Sequence, residues 1–310
     1  MRQISLDLIR VTEAAAIAAS EWVGSGEKIQ ADHAAVKAMR NRLNSLNFSA
    51  VIAIGEGKKD KAPGLFDGER VGTLNRDFAD YSEYTIAVDP IDGTTEVANG
   101  GAGAVSVMAV AKENSLYKTE EHYMMKVAVN KVAKLYFDSV HRKPILSLEL
   151  PEILTGLSKA LNKPKDSLTI CVMERPRHED LIAELRANKC RVKLIRNCDV
   201  SASIAACLPD KEIDMYYGIG GAPEAVISAA ATKCLGGQFE AKHLDSKEVL
   251  CMDRLVTGPC VFVATGITSG MLLEGVHYKD HRKGQPTTSS VFMRSESGTV
   301  RWLSTYHNND

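Results

Sequence analysis

Tyr84-Thr85-Ile86-Ala87-Val88-Asp89-Pro90-Ile91-Asp92-Gly93-Thr94 is the stretch that says most about the fold. Its first five residues are mainly β-branched, aromatic or aliphatic and predict a buried strand. Pro90 has no N–H with which to continue a strand ladder, so we expect the chain to turn there. Gly93 permits the tight bend that follows. The two carboxylates, Asp89 and Asp92, can then face one point at the edge of a sheet.

A second acid follows another predicted strand, because residues 51–54 are apolar and end in Gly55-Glu56. Carboxylates crowded at one edge are unfavourable unless a cation lies among them. Mg²⁺ accepts a few carboxylate oxygens and keeps water and phosphate oxygens as its other ligands. A lone acid at such a position is usually a solvated turn residue. The hexapeptide 89–94 directly after an apolar strand instead indicates a site for divalent cations.

The composition excludes several classes of protein. The 310 residues carry a formal charge of −1, so nucleic acid and anionic membranes are not the expected partners. The sequence contains no run of 18 apolar residues, so no membrane span is expected. Residues 1–5 carry no signal-peptide core. The seven cysteines include no Cys-x-x-Cys pair, which favours reduced thiols in a cytoplasm.

The hydrophobic pattern predicts an α/β protein with α+β layers. Helices are expected at 6–22 and 32–43. Strands are expected at 51–54, 84–88, 105–111 and 132–137. Strands and helices then alternate at 168–173, 178–189, 191–196, 199–208, 213–217 and 222–235. Late strands are expected at 260–265, 288–293 and 299–306. Charged residues at 139–143 with Pro144 suggest a division into an N-terminal half, 1–140, and a C-terminal half, 141–310.

The hexapeptide Asp89–Thr94 resembles the signature of the lithium-sensitive, Mg²⁺-dependent phosphatase superfamily. Three further segments, Lys28–Asp32, Gly55–Pro63 and Tyr217–Glu224, resemble the class II (GlpX-type) fructose-1,6-bisphosphatase family. The similarity covers nearly the whole chain and extends from 10–13 to 264–268. It implies a sandwich of alternating helix and sheet layers, αβαβα-like.

The resemblance implies two or three Mg²⁺ or Mn²⁺ ions. Their ligands would be Asp32, Glu56, Asp89, Asp92 and Glu224. It also implies catalytic roles for three residues. Thr94 would orient the attacking water, Asp60 would act as its base or proton relay, and Lys28 would balance the charge of the acids.

Substrate phosphate requires donors away from the metal ions. Arg175-Pro176-Arg177 follows the strand 168–173 and opens a helix, which suits anion binding, and we favour Arg177. The resemblance implies substrate contacts at Asp92, Gly93, Thr94, Tyr123, Arg175, Arg177, Asn197, Asp199 and Gly221. Asp199 has an alternative role as the N-cap of helix 199–208, and both roles are compatible. His178 and His122 lack ligand-like spacing and are predicted to be surface or satisfied polar residues.

The resemblance implies hydrolysis of the C1 phosphate of fructose 1,6-bisphosphate, in gluconeogenesis, by a cytoplasmic homodimer or homotetramer. Activity on sedoheptulose 1,7-bisphosphate, alone or as well, stays open. An inositol- or nucleotide-phosphate phosphatase of the same superfamily is a second alternative. A non-catalytic binding protein is a third, and the complete set of acids argues against it.

The sequence departs from the family pattern at four places. Asp92 stands where relatives usually have Glu, and its shorter side chain could change the preference between Mg²⁺ and Mn²⁺. Thr95-Glu96 replaces a more typical Arg-Met, and Asn197-Cys198-Asp199 replaces Asp-Gly-Asp. The stretch 239–254 is shorter than in many relatives. These departures bear on the bisphosphate preference more than on the phosphatase chemistry.

Overall fold

The computed structural model describes residues 5–55, 64–76, 83–118, 122–245, 248–278 and 285–308. The α-helices in these ranges are α1 (Ser5–Ser20), α2 (Lys28–Leu43), α3 (Thr94–Asn99), α4 (Lys131–Val140), α5 (Leu150–Leu161), α6 (Glu179–Ala187), α7 (Asp199–Ala205), α8 (Ala222–Leu235) and α9 (Met252–Leu255).

The strands are β1 (Ala50–Ile54), β2 (Arg70–Val71), β3 (Tyr84–Asp92), β4 (Val105–Lys112), β5 (Tyr123–Val129), β6 (Thr169–Met173), β7 (Arg191–Ile195), β8 (Met215–Gly221), β9 (Gln238–His243), β10 (Val249–Cys251), β11 (Cys260–Gly266), β12 (His277–Tyr278), β13 (Pro286–Arg294) and β14 (Thr299–Tyr306).

The first compact unit comprises Met1–Lys118 and Gly258–Asp310. Its sheet has the order β12-β13-β11-β4-β3-β1-β2, with β14 paired to β13. Strands β1 and β3 are parallel, and the other pairs are antiparallel. Helix α1 packs on β4, β11 and β13, and α2 packs on α1, α3 and β3. Their apolar residues bury the sheet in one continuous core.

The second unit, Thr119–Thr257, has a sheet of order β10-β9-β5-β8-β6-β7. Strand β6 runs parallel to β7 and β8, whereas β5 is antiparallel to β8 and β9. Val127 and Val129 of β5 enter a core with side chains of α4, α5 and α6. Alternate residues of a strand point to opposite faces. The intervening residues of β5 therefore face the other side, where α7 and α8 pack.

The predicted α/β class with helix and sheet layers is confirmed, because each unit packs helices on a mixed sheet. The predicted alternation of strands and helices between residues 168 and 235 is also present, as β6, α6, β7, α7, β8 and α8. Helix α2 begins at Lys28, one turn before the predicted start. Strand β8 continues to Gly221, beyond the predicted end at 217.

The division into units differs from the predicted one at residue 140. Strands β11, β13 and β14 were expected in the C-terminal half, but β11 pairs with β4 and belongs to the first sheet. Strand β5 precedes residue 140 and belongs to the second sheet. Hydrophobic patterns locate elements along the chain, whereas the pairing of β4 with β11 joins residues about 150 positions apart in the sequence.

The strand predicted at 132–137 is wrong, because this segment lies within helix α4. Asn130 precedes the helix and its side chain accepts a hydrogen bond from the amide of Ala133, at 3.0 Å. This N-cap satisfies one of the amides that a helix start leaves without a partner. The β-branched and aromatic residues of the segment favour a strand. The N-cap favours a helix, and the helix forms.

Asn130→Ala is expected to lower the free energy of unfolding by about 1 kcal/mol, because the cap is lost. Urea unfolding followed by circular dichroism measures the change. Asn188→Ala is the matched control, since Asn188 follows α6 and its side chain only donates to the carbonyl of Glu184 at an exposed position. Equal losses in the two variants would contradict the importance of the cap.

None of the described helices is long and apolar enough to cross a membrane. All seven cysteines fall within the described ranges and are reduced thiols.

Candidate active site

The Asp89–Asp92 segment forms a β-bulge in β3. Asp89 lies opposite Val107 of β4 and Asp92 lies opposite Val105, so Pro90 and Ile91 together oppose one residue. Residues directly opposite each other share a face of the sheet, and residues two apart on a strand also share a face. Asp89 and Asp92 therefore lie on one face of the sheet. On a regular strand, two residues three positions apart would lie on opposite faces.

The predicted turn at Pro90 is thus a bulge, and the strand continues to Asp92. The amide of Ile91 donates to Oδ1 of Asp89 at 3.0 Å, which fixes that carboxylate. Asp92 is 7% exposed. Gly93 follows with φ +105°, a value that an L-residue with a side chain rarely adopts, and α3 begins at Thr94. The bend predicted at Gly93 is present.

Helices α2 and α3 bring the predicted basic residue to this segment. Nζ of Lys28 donates to Oγ1 of Thr95 at 2.8 Å. The amides of Gly24 and Gly26 donate to carbonyls near the end of α3, at 2.9 and 2.8 Å, and so hold the start of α2 against α3. Asp32 is half-buried and lies one turn after Lys28, on the same side of α2.

Strand β1 ends at the same edge of the sheet as β3, because the two strands are parallel with Ile54 opposite Ala87. The amide of Gly55 donates to Oδ1 of Asp67 at 2.9 Å. A Cβ on Gly55 would lie 2.0 Å from the carbonyl oxygen of Leu65, so only glycine fits this approach. Glu56 and Asp60, the next predicted ligand and the predicted base, lie outside the described residues.

No three His, Cys, Asp or Glu side chains within the described ranges are close enough to hold a metal ion. The first unit therefore does not assemble Asp32, Asp89 and Asp92 as a three-acid group. It does place Asp89 and Asp92 on one face beside the end of the strand that leads to Glu56. One or two carboxylates, completed by water and phosphate oxygens, is the usual protein contribution to a Mg²⁺ site.

The second unit contains a buried cluster of charged side chains, which we call the Lys126 cluster. Its members are Lys126, Asp199, Tyr216 and Glu224. Nζ of Lys126 donates to Oδ2 of Asp199 at 2.7 Å, and the hydroxyl of Tyr216 donates to the same oxygen at 3.3 Å. Lys126 is completely buried, and Asp199 is 5% exposed. Asp199 is the first residue of α7, after Cys198 at the N-cap position. The described contacts of the Asp199 carboxylate are with Lys126 and Tyr216.

Glu224 lies in the first turn of α8, and its Oε2 is buried with no hydrogen-bond partner among the described residues. Burial raises the pKa of Glu224, the charge of Lys126 opposes that rise, and the charge of Asp199 adds to it. A buried carboxylate oxygen without a hydrogen-bond donor is typical of a cation ligand, because buried charges in proteins are paired or coordinate metal ions. Glu224 therefore fits its predicted role as a metal ligand.

Arg177 is held over Tyr123 by two kinds of contact. Its guanidinium lies 5.0 Å from the centre of the Tyr123 ring and donates to the carbonyl of Ile219, at 3.0 Å from Nη2. Tyr123 is 49% exposed and Arg177 is also exposed, so both residues are accessible. Nη2 of Arg175 donates to Oδ1 of Asn197 at 2.6 Å. The structure therefore joins the predicted substrate residues into two pairs within the second unit.

His178 is buried and hydrogen-bonded at both ring nitrogens, as predicted for a satisfied polar residue. The amide of Ile219 donates to Nε2 at 2.7 Å, so the proton is on Nδ1, which lies 2.7 Å from the carbonyl oxygen of Met173. Burial lowers the pKa of His178. The neutral ring thereby fixes β8 to the end of β6, next to Arg177.

Two glycines of β8 make room for the acids of the second unit. A Cβ on Gly220 would lie 2.0 Å from Oδ2 of Asp199, and one on Gly221 would lie 1.9 Å from Oε2 of Glu224. Cys198 adopts φ +67°, in the left-handed region of backbone conformation. That conformation explains why glycine suits this position.

Sequence reasoning missed Lys126 and Tyr216. The signal was present, because a lysine between Met124-Met125 and Val127-Ala128 interrupts an apolar strand. A charged residue in the middle of a buried strand requires a partner of opposite charge.

Comparisons with known proteins show the family to which the chain belongs. Residues 2–307 match the family model described as bacterial fructose-1,6-bisphosphatase, glpX-encoded. The chain is 39% identical over 336 aligned positions to Fructose-1,6-bisphosphatase 1 class 2 of Escherichia coli strain K12, covering 99% of this chain and 95% of that protein. The identity and the coverage are the same for Fructose-1,6-bisphosphatase class 2 of Shigella flexneri. The chain therefore belongs to the bacterial, glpX-encoded fructose-1,6-bisphosphatase family, which is a family of phosphatases.

Proposed function

We propose that this chain hydrolyses fructose 1,6-bisphosphate to fructose 6-phosphate and inorganic phosphate, with Mg²⁺ or Mn²⁺ as cofactor. The observation that carries the proposal is membership of the family across residues 2–307. The second unit supports it, because it contains the exposed Arg177–Tyr123 pair and the buried Lys126–Asp199 pair, whose cationic, aromatic and carboxylate groups suit a phosphorylated sugar.

The residues that would hold two or three metal ions are Asp32, Glu56, Asp89, Asp92 and Glu224. Support comes from the shared face of Asp89 and Asp92 and from the buried Oε2 of Glu224. Metal ions bound in such a site lower the pKa of water and stabilise charge on a leaving oxygen.

The hydroxyl of Thr94 would accept a hydrogen bond from the attacking water, and Asp60 would take the proton. The water oxygen forms a bond to phosphorus, the bond from phosphorus to the C1 oxygen breaks, and that oxygen leaves as the C1 hydroxyl after gaining a proton. Lys28 would balance the charge of the acids, held in place by Thr95.

The second phosphate and the sugar hydroxyls would be bound by the predicted substrate residues of the second unit: Tyr123, Arg175, Arg177, Asn197, Asp199 and Gly221. Arg177 is already restrained by the carbonyl of Ile219 and the ring of Tyr123, so less side-chain entropy is lost when phosphate binds. Asp92 and Gly93 would contact the substrate near the reacting phosphate, beside Thr94.

A phosphate-release screen tests the proposal. Purified protein is assayed with Mg²⁺ and with Mn²⁺ on fructose 1,6-bisphosphate, sedoheptulose 1,7-bisphosphate, inositol monophosphate and a nucleotide monophosphate. We expect the highest kcat/KM with fructose 1,6-bisphosphate. A preference for inositol monophosphate or the nucleotide would favour the second alternative. Failure to hydrolyse any ester would favour a binding protein.

Thr94→Ala is expected to lower kcat by about a hundredfold or more while KM changes little, because the hydroxyl acts on the attacking water and contributes less to ground-state binding. Thr95→Ser, which keeps a hydroxyl for Lys28, is the matched control in the same turn of α3. A raised KM with unchanged kcat in Thr94→Ala would contradict the proposed role.

The homodimer or homotetramer implied by the resemblance, and the cytoplasmic location, stay predictions. Sedimentation velocity of the purified protein tests the first of them.

A further inference from the structure

Lys126 occupies a position that lysine rarely takes. It lies in the middle of β5, 0% exposed, between strands β8 and β9. Burying an ammonium group costs several kcal/mol unless a carboxylate and further hydrogen bonds compensate. A lysine in such a place therefore requires a carboxylate partner, and the partner here is Asp199.

The face of the sheet around Lys126 leaves space for one carboxylate, that of Asp199. Tyr216 lies opposite Ala128, and Gly220 lies opposite Met124, so the Tyr216 side chain and the open space at Gly220 are on the same face of the sheet as Lys126. A Cβ on Gly220 would lie 2.8 Å from Nζ of Lys126 and 2.0 Å from Oδ2 of Asp199. The absence of a side chain at Gly220 thus leaves the space in which Lys126 and Asp199 meet.

Lys126 and Tyr216 both donate to Oδ2 of Asp199, at 2.7 and 3.3 Å. Because two donors hold one oxygen, the carboxylate cannot rotate freely, and the direction of its other oxygen, Oδ1, is fixed as well. A carboxylate oxygen of fixed direction is a good acceptor for a hydroxyl group of a sugar.

We propose that Lys126 is a positioning residue for substrate recognition, which acts by orienting the Asp199 carboxylate toward a sugar hydroxyl, with Tyr216 as its second support. The inference rests on the proposed function, because the sugar is the substrate assigned there. Lys126 itself contacts Asp199 and not the substrate.

Lys126→Met is the direct test, because methionine keeps most of the side-chain volume and removes the donor. KM for fructose 1,6-bisphosphate is expected to rise about tenfold or more, and kcat to change less than about threefold. Calorimetric titration of the metal-free protein with fructose 6-phosphate is expected to show the same rise in Kd. In an Asp199→Ala background, Lys126→Met should raise KM by less than about twofold further, since the two residues act through one contact.

Tyr216→Phe decides the matter if Lys126→Met does not fold, because it removes only the longer hydrogen bond and keeps the ring. Its KM is expected to rise by about two- to fivefold. Lys163→Met is the matched control. Lys163 also donates to a carboxylate of the second unit, Asp214, at 2.7 Å, and it lies outside the Lys126 cluster.

A purely structural role would lower the melting temperature and the active fraction of Lys126→Met without a change in KM. Unchanged KM and Kd in Lys126→Met and Tyr216→Phe would overturn the inference while the proposed function stands. A wild-type protein that neither hydrolyses fructose 1,6-bisphosphate nor binds fructose 6-phosphate would overturn the proposed function, and this inference with it.

Discussion

Asp89→Asn is expected to lower kcat by at least about a thousandfold while the fold stays intact. The amide keeps an oxygen that can accept the hydrogen bond from the amide of Ile91, so the bulge of β3 can be retained. The substitution removes the negative charge that a divalent cation would need at the end of this strand. Phosphate release under saturating substrate measures kcat, and circular dichroism with thermal unfolding verifies the fold.

Asp138→Asn is the control for this variant, because it removes the same charge from an exposed position on α4. Its kcat should equal that of the wild type. Near-normal turnover in Asp89→Asn would refute the assignment of the bulge to the active site. A loss of turnover together with a loss of folded structure would instead mean that Asp89 stabilises the bulge.

Gly220→Ala is expected to lower the free energy of unfolding by about 3 kcal/mol and to raise KM severalfold. The added Cβ would lie 2.0 Å from Oδ2 of Asp199 and 2.8 Å from Nζ of Lys126. Asp199 would have to turn away from its two donors, which leaves Lys126 buried without its partner. Urea unfolding and steady-state kinetics measure the two effects.

The control is Gly258→Ala, where a Cβ meets nothing within 4 Å but φ is +71°. It is expected to cost about 1 kcal/mol from backbone strain alone and to leave KM unchanged. If Gly220→Ala were no more destabilising than Gly258→Ala, the close approach of β8 to Asp199 would contribute little to the free energy of unfolding.

Much of the fold could be predicted from the sequence because its elements are strongly periodic. The alternation from β6 to α8 and the late strands β11, β13 and β14 lie close to their predicted positions. The prediction of a strand at 132–137 was wrong because the residue types of this segment favour a strand, whereas the N-cap at Asn130 and packing against α5 determine a helix. The units were divided differently because strand pairing between distant residues leaves no local signal.

In the candidate site, too, some features could be recognised from the sequence and others depend on strand pairing. Asp89, Asp92 and Gly93 stand out because each is unusual where it lies, at the end of a strand or in a bend. The arrangement of Asp89 and Asp92 on one face depends on a bulge, which follows from pairing with β4 rather than from the residues themselves. Lys126 and Tyr216 could be recognised only when β5 and β8 were found side by side, since 90 residues separate them.

The insertion of residues 119–257 into the first unit has a consequence for synthesis of the protein on the ribosome. Strand β11 lies between β4 and β13 in the sheet, so β4 has its second neighbour only after residue 266 has been made. The inserted segment contains all the strands of its own sheet and can fold while the later residues are still being translated. Both neighbours of β3 in the sheet, β1 and β4, precede the inserted segment, so a nascent chain can pair the strand that carries Asp89 and Asp92 long before β11 and β13 complete the sheet of the first unit.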